Sequence, residues 1–178
     1  FALTRPPGEK MRPAILIAAA LAILPPAALA AKGHVHGAAA LDASLEREQM
    51  VLSLELPLDA ATGFERAPKT PQEKAMLDET ARYLNDAARV FSPSPDAQCS
   101  IHSVLVRVPF LDGKAKADDH ADIAASYVFR CARPAALKSV ETTLFRQFRR
   151  LYRIEVQQVG PNGQRASRMA PKQPTLNW

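Results

Sequence analysis

The stretch QCSIHSVLVRVPFLDGKAKADDHADIAASYVFRCAR, Gln98 to Arg133, decides the fold. It holds both cysteines of the chain, Cys99 and Cys131, and two apolar runs, Cys99–Val108 and Ile123–Cys131. In the second run Ile123, Ala125, Tyr127, Phe129 and Cys131 alternate with smaller or polar residues, the period of a half-buried strand. Folding the runs antiparallel with Cys99 opposite Cys131 sets Ile101 opposite Phe129, Ser103 opposite Tyr127 and Leu105 opposite Ala125. One register then gathers apolar side chains on one face and pairs the sulfurs. The tip, Asp112–Asp122, carries Asp112, Asp118, Asp119, His120 and Asp122. The reading is a disulfide-clamped hairpin that displays an acidic loop.

Upstream, Met11 and Arg12 precede an apolar run, Ala14–Leu24, and a small-x-small tripeptide, Ala28-Leu29-Ala30. This pattern predicts an export signal, and the run is too short to span a bilayer. Residues 1–30 are therefore set apart as upstream residues plus a cleaved signal, and 31–178 is predicted to be a single exported domain. Two cysteines in an exported chain point to a disulfide. Leaving out residues 1–30 removes Arg5, Lys10, Arg12 and Glu9, so 20 basic and 17 acidic residues remain, a net of +3. So mild an excess makes no case for nucleic acid. No integral membrane segment is predicted in the mature chain.

The remaining segments read as α+β. Ala38–Leu45 and Met50–Leu56 alternate as a hairpin that ends at Pro57. Leu58–Lys69 reads as irregular. Thr70-Pro71-Gln72-Glu73 is a capping box with proline at N1, opening a helix to Phe91 with Leu77, Leu84, Ala88 and Phe91 as its stripe, edged by Met76 and Ala81. Ser139–Leu144 reads as a strand, Phe145–Leu151 as a short helical segment, Tyr152–Val159 as a strand, Gln164–Met169 as an edge strand, and the tail as extended. The predicted architecture is an antiparallel sheet of hairpins with one long helix packed on it.

Glycine is scarce, and no phosphate-binding loop, nucleophile elbow or H-E-x-x-H helix occurs. No enzymatic activity is predicted. His34 and His36, at i and i+2, share a face if extended, and two neutral imidazoles so placed can share one metal ion. Two solvated histidines on a frayed terminus are the plainer alternative. Cleavage after Ala31 would instead expose Lys-Gly-His, a square-planar Cu(II) or Ni(II) motif. Zinc needs about four ligands, so Glu65, Asp119, His120 or water would complete the shell. His120 with Asp118, Asp119 and Asp122 forms a second, weaker candidate site.

Taken together, His34-Val35-His36-Gly37, Gly63-Phe64-Glu65-Arg66-Ala67-Pro68-Lys69-Thr70, Tyr127-Val128-Phe129-Arg130-Cys131 followed by Pro134 and Leu137, and Phe145 with Phe148 resemble the ZrgA-like zinc-regulated periplasmic proteins of Gram-negative bacteria. The resemblance spans essentially the whole mature chain. It implies a periplasmic zinc-binding accessory protein that assists metal acquisition, with Zn2+ as its ion (Co2+, Ni2+ or Cu2+ as possible substitutes) and components of a zinc uptake system as partners. Family members carry a long run of His, Asp and Glu between the cysteine strands. Here that run is reduced to Lys114–Asp122 with one histidine, and Arg66 stands where histidine is common. The alternative is a structural or interaction module of the envelope that has lost metal.

Overall fold

The computed structural model describes residues 36–111 and 121–178. The expected export signal, His34, Asp112, Asp118, Asp119 and His120 lie outside these residues. Strands β1 (Ala38–Glu46) and β2 (Gln49–Pro57) form the expected hairpin. Its turn is only Arg47-Glu48, with Arg47 in the left-handed region at φ 54°. Leu41 pairs with Leu54, Ala43 with Leu52 and Leu45 with Met50, and all six are buried. Strand β5 (Asp122–Cys131) pairs antiparallel with β2 and continues this apolar row with Ile123, Ala125, Tyr127 and Phe129.

Strand β4 (Cys99–Arg107) adds to β5, and the Cys99–Cys131 disulfide joins directly opposed residues. Ile101 opposes Phe129 as expected, but a β-bulge at His102 shifts the rest of the strand by one residue. Val104 opposes Tyr127 and Val106 opposes Ala125, while Ser103 and Leu105 turn outward and Leu105 is 73% exposed. The physical reason is burial. The bulge places two valines against the core in place of a serine and a leucine, and an extra residue flips every later side chain.

The large sheet runs β4-β5-β2-β1-β7-β8, with β7 at Arg153–Gly160 and β8 at Gly163–Met169. β7 lies parallel to β1, which corrects the expectation of a purely antiparallel sheet of hairpins. Parallel neighbours need a long connection, and everything between β1 and β7 supplies it. A second sheet of three short strands, β3 (Phe91–Pro93), β6 (Ser139–Thr142) and β9 (Thr175–Asn177), was not anticipated.

Between β2 and β3 lie three helices. α1 (Leu58–Thr62) is a single turn closed by Gly63 in the left-handed region, in a stretch expected to be irregular. α2 spans Pro71–Asn85 and buries Leu77, Thr80, Tyr83 and Leu84. It stops six residues short of Phe91. Asn85 and Asp86 turn to local backbone bonds, Asn85 donating to the Ala81 carbonyl and Asp86 accepting from the Arg89 N–H. Such bonds compete with helix continuation. Asp86 thereby caps α3 (Ala87–Val90), and Phe91 enters β3. Met76 and Ala88, both assigned to the buried stripe or its edge, are exposed. The buried Tyr127 ties the layers together: its hydroxyl donates to the Leu84 carbonyl at 2.9 Å, and Phe91 packs edge-on against its ring. α4 (Leu144–Gln147) is shorter than expected, although Phe145, Phe148 and Leu151 are buried as its pattern implied.

The start of α2 is firmly held. Thr70 Oγ1 accepts from the Glu73 N–H at 3.1 Å, and the Glu73 carboxylate accepts two Arg66 N–H bonds at 2.8 and 3.0 Å and the Lys69 N–H. The Arg66 guanidinium, then the Lys69 N–H, hold the Glu73 carboxyl down at about 2, against 4.5 ordinarily. A group with a depressed folded pKa adds stability above its unfolded value that is lost as pH falls through the folded one. Wild type is therefore expected to be more stable than Glu73→Gln at pH 7. The difference in urea midpoint should shrink below pH 4.5 and close near pH 2. An unchanged difference at pH 3 and pH 7 would assign it to packing instead.

Candidate metal centre

The register of the first hairpin builds the site. Ala40 pairs with Glu55. His36, four residues before Ala40, and Asp59, four residues after Glu55, therefore emerge at the same end of the sheet. Gly37, at φ 72°, turns the chain into β1, and its carbonyl accepts from the Tyr152 N–H at 3.0 Å. A Cβ there would sit 2.8 Å from the Arg150 carbonyl oxygen, so only glycine fits. Asp59 stands in the first turn of α1. The left-handed Gly63 then reverses the chain, donating its N–H to the Asp59 carbonyl at 2.8 Å. That reversal returns Glu65 to the same spot.

His36 Nδ1 lies 3.1 Å from Asp59 Oδ2 and 3.2 Å from Glu65 Oε1. One ligand atom from each residue falls within 4.8 Å of the others. Tetrahedral zinc bonds of about 2.1 Å would separate ligand atoms by about 3.4 Å, so little movement is needed to close on an ion. The Asp59 side chain is 24% exposed and that of His36 76%. Asp59 Oδ1 is buried with no hydrogen-bond partner among the described residues. A buried, unpartnered carboxylate oxygen is costly unless a cation approaches it. The hydrogen bond to Asp59, and next the charge of Glu65, raise the His36 pKa above its usual 6.5. A proton on His36 and a cation are therefore favoured by the same two carboxylates. One imidazole and two carboxylates fit a borderline divalent ion such as zinc.

Of the residues singled out from sequence, His36 and Glu65 meet here. Asp122 heads β5 opposite Pro57 and is not one of the three groups. Cys99 and Cys131 are consumed in the disulfide. Arg66 turns away, bound to Glu73 and lying over the Phe64 ring at 5.3 Å. Asp59 was missed. The signal for it was the hairpin register itself, which carries an acid just past Pro57 to the level of His36.

The fold and the site together define an α+β, sheet-dominated protein with a surface His-Asp-Glu cluster of metal-binding type. No helix of the described residues is long and apolar enough to cross a membrane. The chain belongs to the ZrgA family of zinc uptake proteins, whose family model matches residues 33–178. A comparison with curated proteins gives no match. Membership gives the chain a zinc-related role.

Proposed function

We propose that the chain is a periplasmic zinc-binding accessory protein, not an enzyme, that assists a zinc uptake system. Its primary site is His36, Asp59 and Glu65, with His34 or water as the fourth ligand. The observation that carries this reading is the buried, unpartnered Asp59 Oδ1 beside two further ligand atoms within bonding range of one ion. The pattern of Met11–Ala30 supports export to the periplasm. The shortened loop, with His120, Asp118, Asp119 and Asp122, serves as a weaker collecting site. It holds one nitrogen donor among hard carboxylate oxygens, a poorer set for zinc than a site with more imidazole.

Native mass spectrometry and calorimetry of the chain with Zn(II) test this, with Co(II) as a spectroscopic substitute. One tightly held zinc per chain is expected. His36→Ala should weaken binding by roughly tenfold or more, and His120→Ala should weaken it less. No binding by wild type would overturn the assignment and leave the envelope interaction module as the reading.

A further inference from the structure

From Thr142 to Trp178 the chain carries seven basic residues and one acid, Glu155. That carboxylate is already shared between Arg153 and Arg168, each at 3.0 Å. Arg165 and Lys172 have no carboxylate partner among the described residues. A cleft of about 370 Å³ lies between β8 and the C-terminal segment, bordered by Arg165, Ser167 and Arg168 of β8 and by Lys172, Thr175 and Asn177 of the C-terminal segment. Arg165 also borders an adjoining hollow of about 210 Å³ at the β7–β8 turn, lined too by Gln158 and Trp178. Gln158 is 5% exposed, and among the described residues neither its Oε1 nor the buried Trp178 Nε1 has a hydrogen-bond partner.

Among the described residues β8 is the outer strand of the large sheet, with β7 alone beside it, and Gly163–Arg168 is exposed throughout. Charged side chains ordinarily guard such an edge against pairing. Here they repel a second copy of β8 and favour an acidic strand. A lipid headgroup would answer the positive charge but not the carbonyls of a strand edge, and a cleft suits an extended chain better than a flat surface.

We propose that this cleft docks an acidic, extended segment of a partner protein alongside β8, at a site separate from the metal centre. Trp178 is the sole tryptophan of the chain, so its emission reports on the hollow directly. The chain, kept in EDTA so that no metal bridges the ligand, is titrated with the capped decapeptides (Thr-Glu)5 and (Thr-Lys)5 at low and at physiological salt. A saturable change in Trp178 emission is expected with the glutamate peptide only, weakening as salt rises. The double variant Arg165→Glu/Lys172→Glu should bind at least about tenfold more weakly, with its far-UV circular dichroism and zinc binding unchanged. Absence of saturation, equal binding of the lysine peptide, or equal binding by the double variant overturns the proposal. So does binding of phosphatidylglycerol vesicles, lost in the double variant, when the peptide does not bind; that result assigns the patch to a lipid surface.

Discussion

Asp59→Asn is expected to lower zinc affinity by roughly 100-fold, as much as any single change in the chain. The substitution keeps shape and removes the charge that faces the ion. It also weakens the principal cause of the raised His36 pKa, the hydrogen bond that the Asp59 carboxylate accepts from His36, and takes away the Asp59 charge that adds to it. His36 should therefore titrate closer to 6.5 in Asp59→Asn than in wild type, as read by NMR of its ring protons. A purely structural role for Asp59 would leave that titration where it was. The sign of the pH effect follows. Zinc must displace the His36 proton, so affinity is full above the raised pKa and falls as pH drops through it. The metal-free protein behaves in the opposite sense. A raised histidine pKa contributes stability below 6.5 that is lost as pH rises through the folded value. Calorimetric titration from pH 6 to pH 8.5 checks the first, and an unaltered affinity in Asp59→Asn would remove Asp59 from the site.

Loss of the disulfide has the largest expected effect on stability. Cys99 and Cys131 are 32 residues apart in sequence, and the chain-entropy argument gives about 3–4 kcal/mol for such a loop. The local consequence is sharper than the global one. β4 is an edge strand, held on one side only by β5, and the bulge at His102 interrupts its ladder. Cys99→Ala/Cys131→Ala should let β4 exchange its amide protons far faster than β1 and β2 do. Zinc binding should survive at low temperature. Cys131 lies at the turn end of the first hairpin, where its N–H bonds the Glu48 carbonyl, and His36 lies at the other end. The length of β2 separates them by about 25 Å. Hydrogen exchange on the double variant, beside a zinc titration, checks both halves. Equal protection of β4 with and without the bridge would show that packing alone holds the edge.

Much of the fold was legible because burial on one face writes itself into a strand with period two. Leu52, Leu54 and Leu56, and Ile123 through Cys131, could face the core in only one way, and slipping by one residue would expose them all. The cysteine pair and the Thr70–Glu73 box were equally plain, since each depends on residues whose partners are chemically restricted. β4 was less legible. Both of its faces carry apolar residues, so the alternation did not decide between Ser103/Leu105 and Val104/Val106; packing against β5 and the helices did. The end of α2 was likewise ambiguous, because an apolar stripe runs past Asn85 and Asp86 at helical spacing.

The metal centre divides along the same line. His36 and Glu65 stood out by residue type, but neither neighbours the other in sequence, and Asp59 lay in a stretch with no strong periodicity. What joins them is the pairing of Ala40 with Glu55 and the reversal at Gly63, both long-range or conformational facts. Local sequence thus determined the strands of the first hairpin and β5, the start of α2 and which sulfurs pair, because those depend on period and on scarce chemistry. Tertiary structure alone decided the parallel β1–β7 contact, the second sheet and the meeting of His36, Asp59 and Glu65. Those depend on which elements lie side by side, and no window of neighbouring residues encodes that.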